Sequence, residues 1–163
     1  MPLHSTVFSQ TITKNGHFNY ADLYTFCINW FKSEGYFPIE VDYKEKGTGA
    51  REVLIHWAPE KEVTDYFKFV INVEIFILGL VPTEIERDGK KEKTNEGNLR
   101  MKIRAEVVKD YEERWEKKPM SKFMRGIYEQ YIIRNTVDEY EERLVTEATN
   151  FSNEVKAFLE LSR

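Results

Sequence analysis

The sequence predicts an α+β fold: an antiparallel sheet of about five to six strands, with an N-terminal helix and long C-terminal helices packed on one face. Three observations carry this. First, Phe67, Phe69, Ile71, Val73, Ile75 and Ile77 alternate with Lys68, Val70, Asn72, Glu74, Phe76 and Leu78. Second, Leu99, Met101, Ile103, Ala105 and Val107 alternate with Arg100, Lys102, Arg104, Glu106 and Val108. Period-two alternation sends the two sets to opposite faces of a strand, and a sheet with one apolar and one charged face is antiparallel and covered on one side only. Third, Val137, Tyr140, Leu144, Ala148, Phe151, Val155 and Phe158 recur at helical spacing near the end of the chain. They supply an apolar stripe to cover that face.

Taken in order, residues 6–13 read as a first strand, with Val7 and Ser9 on one face and Phe8, Gln10 and Ile12 on the other. Asn15-Gly16 is the turn expected to end it. Asn19 is an N-cap and Asp22 a first-turn carboxylate, so a helix runs over about residues 20–34 with Leu23, Phe26, Cys27, Trp30 and Phe31 on its apolar stripe. Gly35 stops it. Ile39, Val41 and Tyr43 alternate with Glu40, Asp42 and Lys44 as strand two, and Gly47-Thr48-Gly49 turns the chain. Val53, Ile55 and Trp57 alternate with Glu52, Leu54 and His56 as strand three. Pro59 and the run Glu60-Lys61-Glu62 interrupt the pattern before the first long strand, which Gly79 and Pro82 are expected to bend or end.

Between the long strands, Asp88-Gly89 has the chemistry of a two-residue hairpin, flanked by charged pieces that read as a solvated β-finger or a mobile loop. Residues 95–98 read as a second turn. A charged linker containing Trp115 closes at Pro119. Ser121 then caps a helix carrying Phe123, Met124, Ile127, Tyr128, Tyr131 and Ile132, which Asn135 breaks. Thr136 and Glu139 form a capping box for the last helix, about residues 137–161 and roughly 36 Å long.

The length of 163 residues fits one domain, 1–163, with 41% hydrophobic and 32% charged residues. The net charge of −4 argues against nonspecific nucleic-acid binding. A single cysteine, Cys27, excludes an internal disulfide and reads as a small core residue. With no basic-then-apolar leader pattern at the start and no apolar run of bilayer length, the expected compartment is the cytoplasm. Abundant Lys and Glu with glutamine only at Gln10 and Gln130 match the bias of thermophilic, including archaeal, proteins.

The chemistry-bearing inventory is thin. His4, His17 and His56 lie far apart and none sits at metal-ligand spacing, so no metal or cofactor is expected. Gly47-Thr48-Gly49 lacks the downstream Lys and helix of a phosphate loop. Glu74 and Glu106 are the sheet carboxylates whose neighbours could shift a pKa toward catalysis, but nothing pairs them with a second reacting group, and no enzyme is expected. The polar sheet face says more. Arg100, Lys102 and Arg104 share it with Lys68 and with Val70, Phe76, Leu78, Val108 and Leu54. Arg beside exposed apolar groups suits a protein interface, or less specifically stacked RNA; the plain alternative is ion pairing with Glu74, Asp42 and Glu40.

The element order is similar to that of the helix-grip domains, in which a curved sheet wraps a long C-terminal helix and lipids or hormones bind between them. This resemblance covers most of the chain and rests on element order, with no family motif. It implies a sheet–helix space that Tyr43, Trp57, Phe69, Tyr128, Tyr131 and Tyr140 would line, either as a cavity or as a filled core. Two functions follow as expectations. One is an interaction module that binds a protein partner or itself through Lys68, Phe76, Arg100, Lys102 and Arg104, or through the C-terminal helix. The other is a carrier of a small apolar molecule or lipid.

Overall fold

The computed structural model describes residues 2–38, 40–109, 111, 123, 126–127, 130 and 134–161. Their order is β1 (Leu3–Phe18), α1 (Tyr20–Ser33), β2 (Glu40–Lys46), β3 (Arg51–Trp57), β4 (Glu60–Glu62), β5 (Phe67–Arg87), β6 (Lys90–Lys109) and α2 (Arg134–Leu161). The six strands form one antiparallel sheet in the order β1-β6-β5-β3-β2, and β4 pairs with β5 beside β3. The fold is thus α+β, with a helix near each end of the chain.

The long hairpin is the spine of the sheet. Its register sets Phe69 against Val107, Val73 against Ile103 and Ile77 against Leu99, so the two apolar sets share one face. All the inward residues from Phe67 to Ile77 and from Leu99 to Val107 are buried. Both helices cover this face. Phe151 of α2 sits 4.8 Å from the rings of both Trp30 and Phe31 of α1, and Phe26 stacks on Phe158 at 5.1 Å. The buried cluster draws on β1, β3, β5, β6 and both helices.

Local chemistry explains the start and end of α1. The Asn19 side chain accepts the Asp22 amide at 3.0 Å, as a capping residue should. At the exit Tyr36 N–H donates to the Phe31 carbonyl and Gly35 N–H to that of Lys32, with Gly35 at φ +83°. This is a Schellman closure, which needs a residue free of the Cβ penalty at the left-handed position. Cys27 faces the core and is fully buried, as the stripe predicts.

Several expectations are corrected. Asn15-Gly16 does not end β1, because residues 15–18 keep pairing with residues 95–98 of β6. The expected turn at residues 95–98 is therefore strand. Gly79 and Pro82 do not end β5 either: the ladder absorbs an irregularity between Leu78 and Val81, then continues to Arg87 opposite Lys90. The β-finger reading of the tip holds, and Asp88-Gly89 turns it with φ of +52° and +76°. Glu60-Lys61-Glu62 is a short strand rather than an interruption. Asn135 does not break the last helix, which already includes Arg134 and Asn135, so Thr136 and Glu139 lie inside it. An exposed Asn costs only a fraction of a kcal/mol in a helix, about 0.7 at most. The buried face of α2, with Leu144, Ala148, Phe151 and Val155, dominates instead. The expected linker with Trp115 and Pro119, and Ser121, Met124, Tyr128, Tyr131 and Ile132 of the helix expected after it, lie outside the described residues.

Candidate functional site

The outer face of the sheet is built in rows across the strands. One row runs Thr13, Arg100, Phe76, Leu54 and Lys44; the next runs Thr11, Lys102, Glu74, His56 and Asp42. Neither helix covers them. Leu54 and Phe76 are each 36% exposed and Leu78 is 40% exposed. Among the described residues the side chains of Arg100 and Lys102 make no hydrogen bond or ion pair. Arg100 stands between Thr13 and Phe76, where no carboxylate is in register to meet it. A shallow depression of about 130 Å³ among Ser9, His56, Asn72, Glu74, Lys102 and Arg104 marks the middle of the face.

Ion pairing takes part of the expected set. Arg104 Nε lies 3.1 Å from Glu106 Oε1, and His4 Nδ1 lies 3.2 Å from the other oxygen of that carboxylate. Lys68 is not beside the arginines. The register puts it opposite Val108, where Nζ donates to Glu60 at 3.1 Å and lies over the Tyr111 ring at 5.4 Å. Asp42 pairs with Lys44 at 3.0 Å. Glu40 is on the other side of the sheet altogether. The β2–β3 register slips between Glu40 and Asp42, so Val41 is an extra residue and Glu40 turns to the helical side.

No group of three or more His, Cys, Asp or Glu able to hold a metal ion occurs among the described residues. No described helix is long and apolar enough to cross a membrane.

No family model, curated protein or solved structure matches the chain.

The residues expected to line a sheet–helix space divide. Trp57 and Phe69 are fully buried, and Tyr140 is packed between the core and solvent with its ring 4.9 Å from Phe67 and 6.3 Å from Phe69. Tyr43 stands at the margin, 41% exposed, with its hydroxyl 3.2 Å from that of Tyr20 and donating to Glu45 at 2.9 Å. Burial and this hydroxyl contact push the Tyr20 phenol well above its usual range, and burial raises Tyr43 as well. Glu45 is held below the usual carboxylate range by the hydrogen bond from Arg51.

The structure also brings together a set that the sequence reading did not join. Beside α1 and the start of β2 lies an open groove of about 700 Å³, walled by Tyr24, Ile28, Lys32, Phe37, Glu40 and Trp57. Glu40 Oε2 accepts from the Tyr24 hydroxyl at 2.6 Å and from the Trp57 indole at 3.3 Å. The hydrogen bond to Glu40 is the main cause that pushes the Tyr24 phenol up to about 12. The four-residue spacing of Tyr24, Ile28 and Lys32 was visible as a second helical face. The side taken by Glu40 was not, because a bulge has no signature in the alternation.

Proposed function

We propose that the chain is a non-enzymatic interaction module that docks the outer face of its sheet on a protein surface bearing carboxylates and apolar groups, or on a second copy of itself. The observation that supports this is the unpaired Arg100 and Lys102 set among half-exposed Leu54, Phe76 and Leu78. Arginine beside aromatic and aliphatic side chains is the composition of an interface centre rather than of a solvated face. Lys68, already ion-paired to Glu60, belongs to its margin, and Arg104 lines the central depression while paired to Glu106. Most outward positions of α2, among them Glu142, Asn150, Asn153 and Glu154, are polar, and its exposed Leu161 stands at the end of the helix with no cationic neighbour on the same helix turn.

The carrier reading asks for a void between sheet and helix. The described residues fill that space with rings, Phe31 and Phe151 at 4.8 Å and Phe67 and Tyr140 at 4.9 Å, so an apolar guest would have to displace them. The sheet-face reading is therefore preferred.

The test is a double charge reversal, Arg100→Glu with Lys102→Glu, followed by light scattering at high protein concentration and by pull-down. The wild type is expected to run above the 19.4 kDa of one chain or to retain a partner, and the variant to do neither. A wild-type mass of one chain at high concentration with empty pull-downs sinks the proposal.

A further inference from the structure

We infer that the groove between α1 and the start of β2 is a binding site for a small organic ammonium: a primary or methylated amine carried on an apolar body. It lies on the helical side of the sheet, away from Arg100, and does not depend on the docking role proposed above.

The head of the site is Glu40. Its Oε2 is saturated by two donors from aromatic side chains, Tyr24 and Trp57, which fix the carboxylate in place. No described donor reaches Oε1, which is left to accept from a guest. The rings of Tyr24 and Trp57 meet edge to face, 5.1 Å apart, beside it. Trp57 is fully buried and backs the site, so the groove presents a carboxylate with one free oxygen next to the Tyr24 ring, which attracts a cation and repels an anion.

The body of the site is apolar and held open. Ile28 lies one helical turn from Tyr24 on the same side of α1. Phe37 forms the opposite lip with 76% of its surface exposed, a large apolar ring left in water. Its backbone is fixed by bonds in both directions to Glu60, N–H to carbonyl at 2.6 Å and carbonyl to N–H at 3.1 Å, so the lip itself is anchored to the sheet. The Schellman closure at Gly35 fixes the chain that leads to it. A guest with an apolar body would cover Phe37 and Ile28 against a backbone already in place, which is what preorganisation supplies.

The far end of the site sets direction. Lys32 is eight residues from Tyr24, roughly 12 Å along the helix axis. A cationic head is repelled there and drawn to Glu40, so the ligand lies one way round, with an apolar body no longer than that span.

Three probes of one shape decide the matter: phenethylamine, its trimethylammonium derivative and 3-phenylpropionate, titrated by calorimetry and by amide and indole NMR shifts. Both amines are expected to bind about tenfold or more tighter than the carboxylate, with shifts at the Trp57 indole N–H and at residues 35–37. Glu40→Gln should weaken the amines about tenfold, the scale of a lost hydrogen bond to a charged group. Should that variant fail to fold, Phe37→Ala serves instead, since its ring is exposed; it should cost the amines several-fold in affinity. Arg100→Glu with Lys102→Glu should leave amine binding unchanged, so this site and the docking face fail separately. Equal binding of phenylpropionate, absence of shifts with either amine, or full amine affinity in Phe37→Ala overturns the inference.

Discussion

Glu147 is the residue at which three parts of the chain are tied together. Its carboxylate accepts from the Tyr36 hydroxyl at 2.5 Å, from Lys61 at 3.0 Å and from Arg143 at 3.3 Å. Its side chain keeps only 14% of its surface and that of Lys61 only 16%, so water screens this pair less than an ordinary surface pair. Burial, and then the bond to Glu147, hold the Tyr36 phenol far above its usual value of 10.0. Burial and Tyr43 do the same for Tyr20, while Tyr24 is raised to about 12. A raised phenol binds its proton more tightly folded than unfolded. Its contribution is whole below the unfolded value near 10 and is lost as pH climbs through the folded value. The melting temperature should therefore hold to about pH 10 and fall above it, with tyrosinate absorbance rising in step with unfolding. Titration of all the tyrosines near their usual value in a chain that stays folded would contradict the assignment. Tyr36→Phe should flatten part of the fall.

At the level of the element, the tip of the long hairpin separates what the sequence says from what it hides. Asp88-Gly89 announces a type I′ turn by composition, and both residues adopt positive φ. The strands beyond Gly79 and Gly97 were hidden, since glycine and asparagine read as breakers when only neighbours in sequence are considered. The ladder overrides them. Gly97 sits where three strands pass, and a Cβ there would lie 3.3 Å from the Leu78 carbonyl oxygen and from Leu80 Cα. What looked like a turn residue is a close-approach residue. The finger is also moored at its end, where Arg87 donates to the Leu161 carbonyl at 2.7 Å. Gly89→Ala should cost about 1 kcal/mol locally, through the positive φ. Hydrogen exchange should quicken at residues 83–94 while the melting temperature of the whole chain barely moves. Slower exchange there would show that the turn does not hold the finger in register.

For the molecule as a whole, the two faces of one sheet answer to different physics. The inward face was legible because alternation names its residues and one long apolar stripe names its cover. Phe69, Ile103 and Phe151 are where that reasoning puts them, all fully buried. The outer face was legible only as a list of residues. Which of Arg100, Lys102, Arg104 and Lys68 stand together depends on register, and register separated Lys68 from the rest. The Glu40 groove depends on one inserted residue at Val41 and on Trp57 of β3 meeting Tyr24 of α1. The two faces should therefore fail in opposite ways. Phe151→Ala removes the ring that Trp30 and Phe31 close upon, and a cavity of that kind costs about 3–5 kcal/mol. Against a total of about 5–15 kcal/mol, that is enough to lower the denaturation midpoint sharply. Reversing Arg100 and Lys102 removes no buried apolar group but sets a carboxylate opposite Glu74, so the same denaturation curve should shift by about 1 kcal/mol or less while association is lost. A reversal variant that unfolds with Phe151→Ala would mean that the outer face is structural rather than a free docking surface.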